Sequence, residues 1–239
     1  MKVHSETIAH YPGIGAITYK RNLRAKRLTI SVRRNKDIRV TIPGVLPFRT
    51  AETFVLSKSK WIAEKRNTLN KDDSKLLCSG EFRTREHALL FRTVPTNTIR
   101  VEVKKPDIIV YYPETSTISD ERVQHAAKVG IEMAYRIEAN IFLPQRVKIL
   151  TSQFNFTINQ LRIKKMTSRW GSCSSKNNIN LSIFLMKLPD NLIDYIIIHE
   201  LCHTRHKNHG ERFWAELNSK TEGKAKELSR QIRRFSSGI

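Results

Sequence analysis

Four of the eight histidines fall within His199-Glu200-Leu201-Cys202-His203-Thr204-Arg205-His206-Lys207-Asn208-His209. An α-helix advances ~100° per residue, so positions four apart lie only ~40° apart about its axis. His199 and His203 are therefore expected one turn above the other, where two imidazole nitrogens can meet one metal ion. Glu200 follows the first histidine, which completes HExxH: its carboxylate reaches toward the open side of the ion without becoming a ligand, as a general base acting on zinc-bound water must. A catalytic zinc takes three protein ligands, so one more is required. His209, beyond the expected helix end, can return through a turn at Asn208 and Gly210 and supply it. His206, one turn from His203, competes for that place, but choosing it leaves His209 unexplained, so His209 is preferred. A helix whose histidines only hydrogen-bond is the competing reading. It would bury two imidazoles and a carboxylate beside Ile196, Ile197, Ile198 and Leu201 at a cost that a metal removes. Cys202 is ~100° from His203 and off the shared face, and it reads as an inert buried thiol. Cys173 is expected to pack beneath a turn at Gly171.

These residues need elements to hold them. Pro189-Asp190 starts a helix through Ile196 to Ile198, and Asn208-His209-Gly210 ends it. A final helix, about 211–234, buries Phe213, Trp214, Leu217, Leu228 and Ile232. Upstream, 156–166 and 178–184 read as strands flanking the turn Trp170-Gly171-Ser172-Cys173-Ser174-Ser175. Val123, Ala127, Ile131, Ala134, Ile137 and Ile141 trace a long helix that Pro144 is expected to kink or end, with a second helical stretch to about Leu150.

The first half is β-rich. Residues 28–33 and 38–42 alternate apolar and polar and read as a hairpin, and one helix follows over about 50–67. Residues 70–80 are the best linker candidate, and 88–94, 98–103 and 108–112 read as strands. The composition shift at Ser119-Asp120 predicts two regions, a β-rich 1–118 with one helix and a catalytic 119–239.

The chain has 239 residues, enough for one large or two small domains, and 39% hydrophobic residues can form a core. Cys78, Cys173 and Cys202 are odd in number with no CxxC pair, which argues for reduced thiols. No apolar run suits a membrane span or a signal peptide, so a cytoplasmic location without membrane contact is expected. The 43 Lys and Arg against 22 Asp and Glu leave a net charge of +21. The densest stretch, Lys20 to Lys36, carries Lys20, Arg21, Arg24, Lys26, Arg27, Arg33, Arg34 and Lys36 without enough aromatics or any motif to read bases. It supports non-specific contact with nucleic acid at most, or a solvated face.

Ser168-Arg169-Trp170-Gly171-Ser172-Cys173-Ser174-Ser175, Asn178-Ile179-Asn180-Leu181, Asp194-Tyr195, His199-Glu200-Leu201-Cys202-His203, Asn208-His209-Gly210 and Phe213-Trp214 together resemble the YgjP-like metallopeptidases, a group related to the SprT and WLM zinc-protease families. The resemblance spans nearly the whole chain. It implies an α+β fold whose zincin-like C-terminal domain sets an HExxH helix beside a small sheet. It also implies Zn2+ on His199, His203 and His209, with Glu200 as the catalytic carboxylate and Arg169-Trp170-Gly171 along the cleft.

The function expected is hydrolysis of peptide bonds in protein or peptide substrates. The alternatives are a basic nucleic-acid-associated protein with a structural zinc, disfavoured because structural sites are closed by four ligands, or a protease recruited to nucleic acid. Arg169, Arg205 and Tyr195 are candidates for the oxyanion donor, and Asp194 and Glu216 for orienting the histidines.

Overall fold

The computed structural model describes residues 6–32, 37–73 and 76–235, an α+β protein of ten strands and six α-helices among those residues. The chain divides into two compact units, 1–75 and 76–239. The boundary falls within the segment expected to be a linker, not near residue 118. Strands at 88–113 resemble the first half in composition, but their apolar faces are buried with the later helices, and that shared core decides the division.

The first unit holds β1 (Glu6–Tyr11), β2 (Gly15–Asn22), β3 (Thr29–Val32) and β4 (Ile38–Pro43) in the order β1-β2-β4-β3. The expected hairpin is β3 with β4, paired antiparallel, and β4 also runs parallel to β2. The helix expected over 50–67 is two helices, α1 (Phe48–Ser57) and α2 (Ser59–Asp73). The chain leaves helical geometry at Lys58 (φ −107°, ψ 11°), and Ala51 and Val55 before the break and Ile62 after it bury against Ile17, Tyr19, Val40 and Ile42.

Two of the cations in the basic segment are engaged inside this unit: Lys20 pairs with Glu6, and Arg21 Nη1 donates to the carbonyls of Gly44 and Leu46. Arg24, Lys26 and Arg27 are exposed, whereas Arg33, Arg34 and Lys36 lie outside the described residues.

The second unit begins with β5 (Ala88–Val94), β6 (Arg100–Lys104) and β7 (Asp107–Pro113), ordered β5-β7-β6. Across it lies α3 (Glu121–Phe154). Gly130 permits the close approach, since a Cβ there would stand 2.7 Å from side-chain carbons of Ile108 and Val101. Pro144 sits inside α3 and does not end it. A proline within a helix costs ~3 kcal/mol, but Leu143, Val147 and Leu150 continue the buried stripe past it, and that burial outweighs the local cost.

Next come β8 (Gln160–Lys164), β9 (Gly171–Cys173) and β10 (Asn178–Ser182), ordered β8-β10-β9, with β10 parallel to β8 and antiparallel to β9. A 3-10 turn at Ile183–Lys187 leads to α4 (Asp190–Arg205), which packs on β9 and β10. The expected last helix is broken into α5 (Glu211–Lys220) and α6 (Ala225–Ile232), because Glu222 and Gly223 both take positive φ, 51° and 77°. No described helix is long and apolar enough to cross a membrane.

Candidate metal centre

The scaffold of the centre is α4. Ile193, Ile197 and Leu201, spaced four apart, are fully buried and press one face of the helix into the core. Its opposite face carries His199 and His203. Two arginines grip its first half: Arg85, from the bend ahead of β5, pairs with Asp190, and Arg146 of α3 pairs through two nitrogens with Asp194. The Arg85 guanidinium holds the Asp190 carboxyl below the usual carboxylate range, and Asp190 in the first turn also complements the helix dipole. The helix stops at Arg205, and His209 stands on the short connection to α5.

His199, His203 and His209 converge. The Nε2 of His209 is 3.2 Å from the Nε2 of His203 and 3.2 Å from that of His199. A tetrahedral ion with bonds of ~2.0 to 2.1 Å requires ligand nitrogens roughly 3.3 Å apart, so the spacing suits one small divalent ion. The protonation pattern agrees. His203 Nδ1 is 2.9 Å from the carbonyl oxygen of His206. A carbonyl only accepts, so Nδ1 carries the hydrogen and Nε2 presents its lone pair to the other two rings. Buried Nδ1 of His199 has no hydrogen-bond partner among the described residues, so packing rather than a carboxylate holds that ring. Burial, reinforced by the neighbouring His203 and His209, pushes His199 down to about 4. Burial also lowers His203. Both shifts favour the neutral imidazole, the state that binds a metal.

Phe213, at the start of α5, is fully buried and touches all three rings. It stacks on His203 (centroids 4.6 Å, interplanar 28°) and meets His199 and His209 edge-on at 5.0 and 4.7 Å. Sequence patterning assigned it only to the core.

The structure takes His206 out of this group: its Nε2 lies 3.0 Å from Glu216 Oε2, and Arg205 also binds Glu216. Asp194 and Glu216, considered for orienting the histidines, are engaged by Arg146 and by Arg205 with His206 instead. Of the oxyanion candidates, Arg205 also donates to the carbonyl of Asn155 and lies over Phe156, a bracing role. Tyr195 is buried 6.1 Å from the His199 ring. Arg169 is exposed, and its charge acts on Glu200.

Glu200 is buried, 6% exposed, and burial pushes its carboxyl up to about 7, partly offset by Arg169. Beside it is Gly171 on β9. A Cβ there would stand 2.6 Å from Glu200 Cγ and 2.8 Å from Oε1, so only glycine leaves the carboxylate its place. Cys202 is buried and its thiol is pushed up to about 12, mainly by burial, as expected of an inert thiol. Cys173 is half-buried, 3.8 Å from the Lys207 ammonium.

Residues 26–235 match the family described as YgjP-like, metallopeptidase domain. Two similar solved structures are metallopeptidase zymogens. Abylysin of Pyrococcus abyssi is 22% identical, over 39% of this chain and 95% of that chain, with a TM-score of 0.36. Jannalysin of Methanocaldococcus jannaschii is 28% identical, over 38% and 93%, with a TM-score of 0.34. No curated protein matches significantly.

Proposed function

The chain belongs to the YgjP-like metallopeptidase family, and from that premise we propose that it hydrolyses peptide bonds with Zn2+ held by His199, His203 and His209 and with Glu200 as the general base. The observation that carries this reading is the convergence of the three imidazoles, with His209 Nε2 3.2 Å from the Nε2 of both His199 and His203 and all three ligand atoms within 4.8 Å of one another. A divalent ion there supplies Lewis acidity toward water and a peptide carbonyl.

The chain's own residues supply the proton transfer. A carboxyl pushed up to about 7 is poised to accept a proton at neutral pH and to return it to the leaving amine. Gly171 leaves room for that carboxylate. Arg169 sets its field and is the remaining candidate for polarising a substrate carbonyl. Strand β9 is an edge strand of its sheet. An extended peptide laid along it would find unpaired backbone groups beside Glu200, which suits a protein substrate.

In the basic segment Lys20 and Arg21 are used within their own unit, and among the described residues only Arg24, Lys26 and Arg27 remain outward, too few to favour a nucleic-acid role over a peptidase.

The test is metal analysis of the purified protein with a Glu200→Gln variant assayed on an unfolded protein. Loss of hydrolysis by ~100-fold or more with zinc retained supports the assignment. Turnover at the wild-type rate removes Glu200 from it.

A further inference from the structure

The connection between α4 and α5 carries His209, and its two ends are pinned. At one end the His206 N–H donates to the Cys202 carbonyl at 2.9 Å, and the His206 carbonyl accepts from His203 Nδ1. At the other the Trp214 N–H donates to the Gly210 carbonyl at 3.2 Å. Between them, the Lys207 ammonium reaches across to the turn joining β9 to β10. It donates to Asn177 Oδ1 and, at 3.1 Å, to the Ser174 carbonyl, with Cys173 Sγ 3.8 Å away.

That turn is a stiff acceptor. The Asn177 N–H donates to the Ser174 carbonyl at 3.0 Å, the Ser174 N–H to the Asn178 carbonyl at 2.9 Å, and the Asn178 N–H to Ser174 Oγ at 3.1 Å. Asn177 takes φ 57°, a conformation asparagine tolerates better than most residues. The same hairpin carries Gly171 against Glu200.

We infer that Lys207 is a positioning residue: its ammonium braces the connection that presents His209 against the strand that borders Glu200, and so holds the third imidazole at its distance from the other two. This rests on the reading of His209 as a metal ligand. The acceptors it uses, an amide oxygen and a carbonyl, are neutral. The brace therefore depends on donor geometry more than on charge pairing, and an exposed lysine with no carboxylate partner among the described residues has little other reason to be held across two elements. Groups that orient a ligand from behind typically govern metal affinity by ~10 to 100-fold.

The experiment compares wild type with Lys207→Met, Lys207→Arg and His209→Ala. Zinc affinity is measured by competition with a chromophoric chelator, the visible spectrum is taken with Co2+ in place of zinc, and thermal unfolding is followed without metal. Lys207→Met is expected to weaken zinc binding about tenfold and to alter the Co2+ absorption bands, with the metal-free unfolding temperature unchanged within ~2 °C. Lys207→Arg, which keeps the donors, is expected to restore affinity and spectrum. Wild-type affinity and spectrum in Lys207→Met, beside loss of binding in His209→Ala, would overturn the role of Lys207 alone. A fall in metal-free stability that accounts for the affinity loss would overturn it too. Undiminished binding in His209→Ala would instead remove the ligand assignment on which it stands.

Discussion

The Phe213 ring lies flat against the His203 imidazole, 4.6 Å between centroids at 28°, while its edges meet His199 and His209. One apolar side chain thereby limits the rotation of all three imidazoles, which matters because His199 Nδ1 has no hydrogen bond among the described residues to hold its ring. Phe213→Leu keeps an apolar filler and loses the flat contact. It is expected to lower stability by about 1 to 2 kcal/mol, below the 3 to 5 typical of Phe→Ala, and to weaken zinc binding as well. Urea unfolding with and without metal measures both. Unchanged zinc affinity would mean that the ring only fills space.

His209→Ala should cost far more zinc than His206→Ala. Apparent zinc binding by four ligands is worth about 10 to 16 kcal/mol, so one ligand contributes roughly 3 kcal/mol, or about a hundredfold in affinity. His206→Ala removes a ring that contacts Glu216 and keeps the backbone carbonyl that His203 uses. Metal content after dialysis against a weak chelator separates the two variants, and equal losses would count against His209.

Gly171→Ala places a methyl 2.6 Å from Glu200 Cγ, so the carboxylate must move. Displacing a reacting group by ~1 Å can cost about a hundredfold in rate. The expected outcome is a fall in kcat of that order with zinc content unchanged, since the three atoms nearest the added methyl all belong to Glu200. A variant with full kcat would show that the carboxylate position is not critical.

Stability of the metal-free protein should depend on pH in two opposed ways. His199 is pushed down to about 4 in the fold from an ordinary 6.5, so the unfolded chain binds the extra proton and stability is lost as pH falls through that interval. Glu200 is raised from 4.5 to about 7, so the folded chain binds its proton first and stability is gained as pH falls from 7 toward 4.5. Between pH 7 and 5 each effect amounts to roughly 2 kcal/mol, and in the wild type they nearly cancel. Metal-free Glu200→Gln keeps only the histidine effect and should lose about 2 kcal/mol more than wild type over the same range, read by urea unfolding at the two pH values. A Glu200→Gln curve parallel to the wild type would contradict the raised carboxyl.

The pairing of His199 with His203 was legible in the sequence because it depends only on the helical repeat, and Glu200 came with it. Strands β3 and β4 and β5 to β7 were legible for the same reason, through local alternation of apolar residues. The family resemblance rested on short motifs whose residues are neighbours in the chain. What needed the fold was every choice between equivalent local options. Nothing near His206 in the chain says that Glu216, ten residues on, draws its ring aside, and nothing near Gly171 says that Glu200 fills the space a Cβ would take. Pro144 reads as a helix breaker until the buried Leu143, Val147 and Leu150 outweigh it. Local spacing determined which residues could bind a metal, because backbone geometry repeats. Long-range packing decided which of them meet, because burial and the satisfaction of polar groups are settled between segments far apart in the chain.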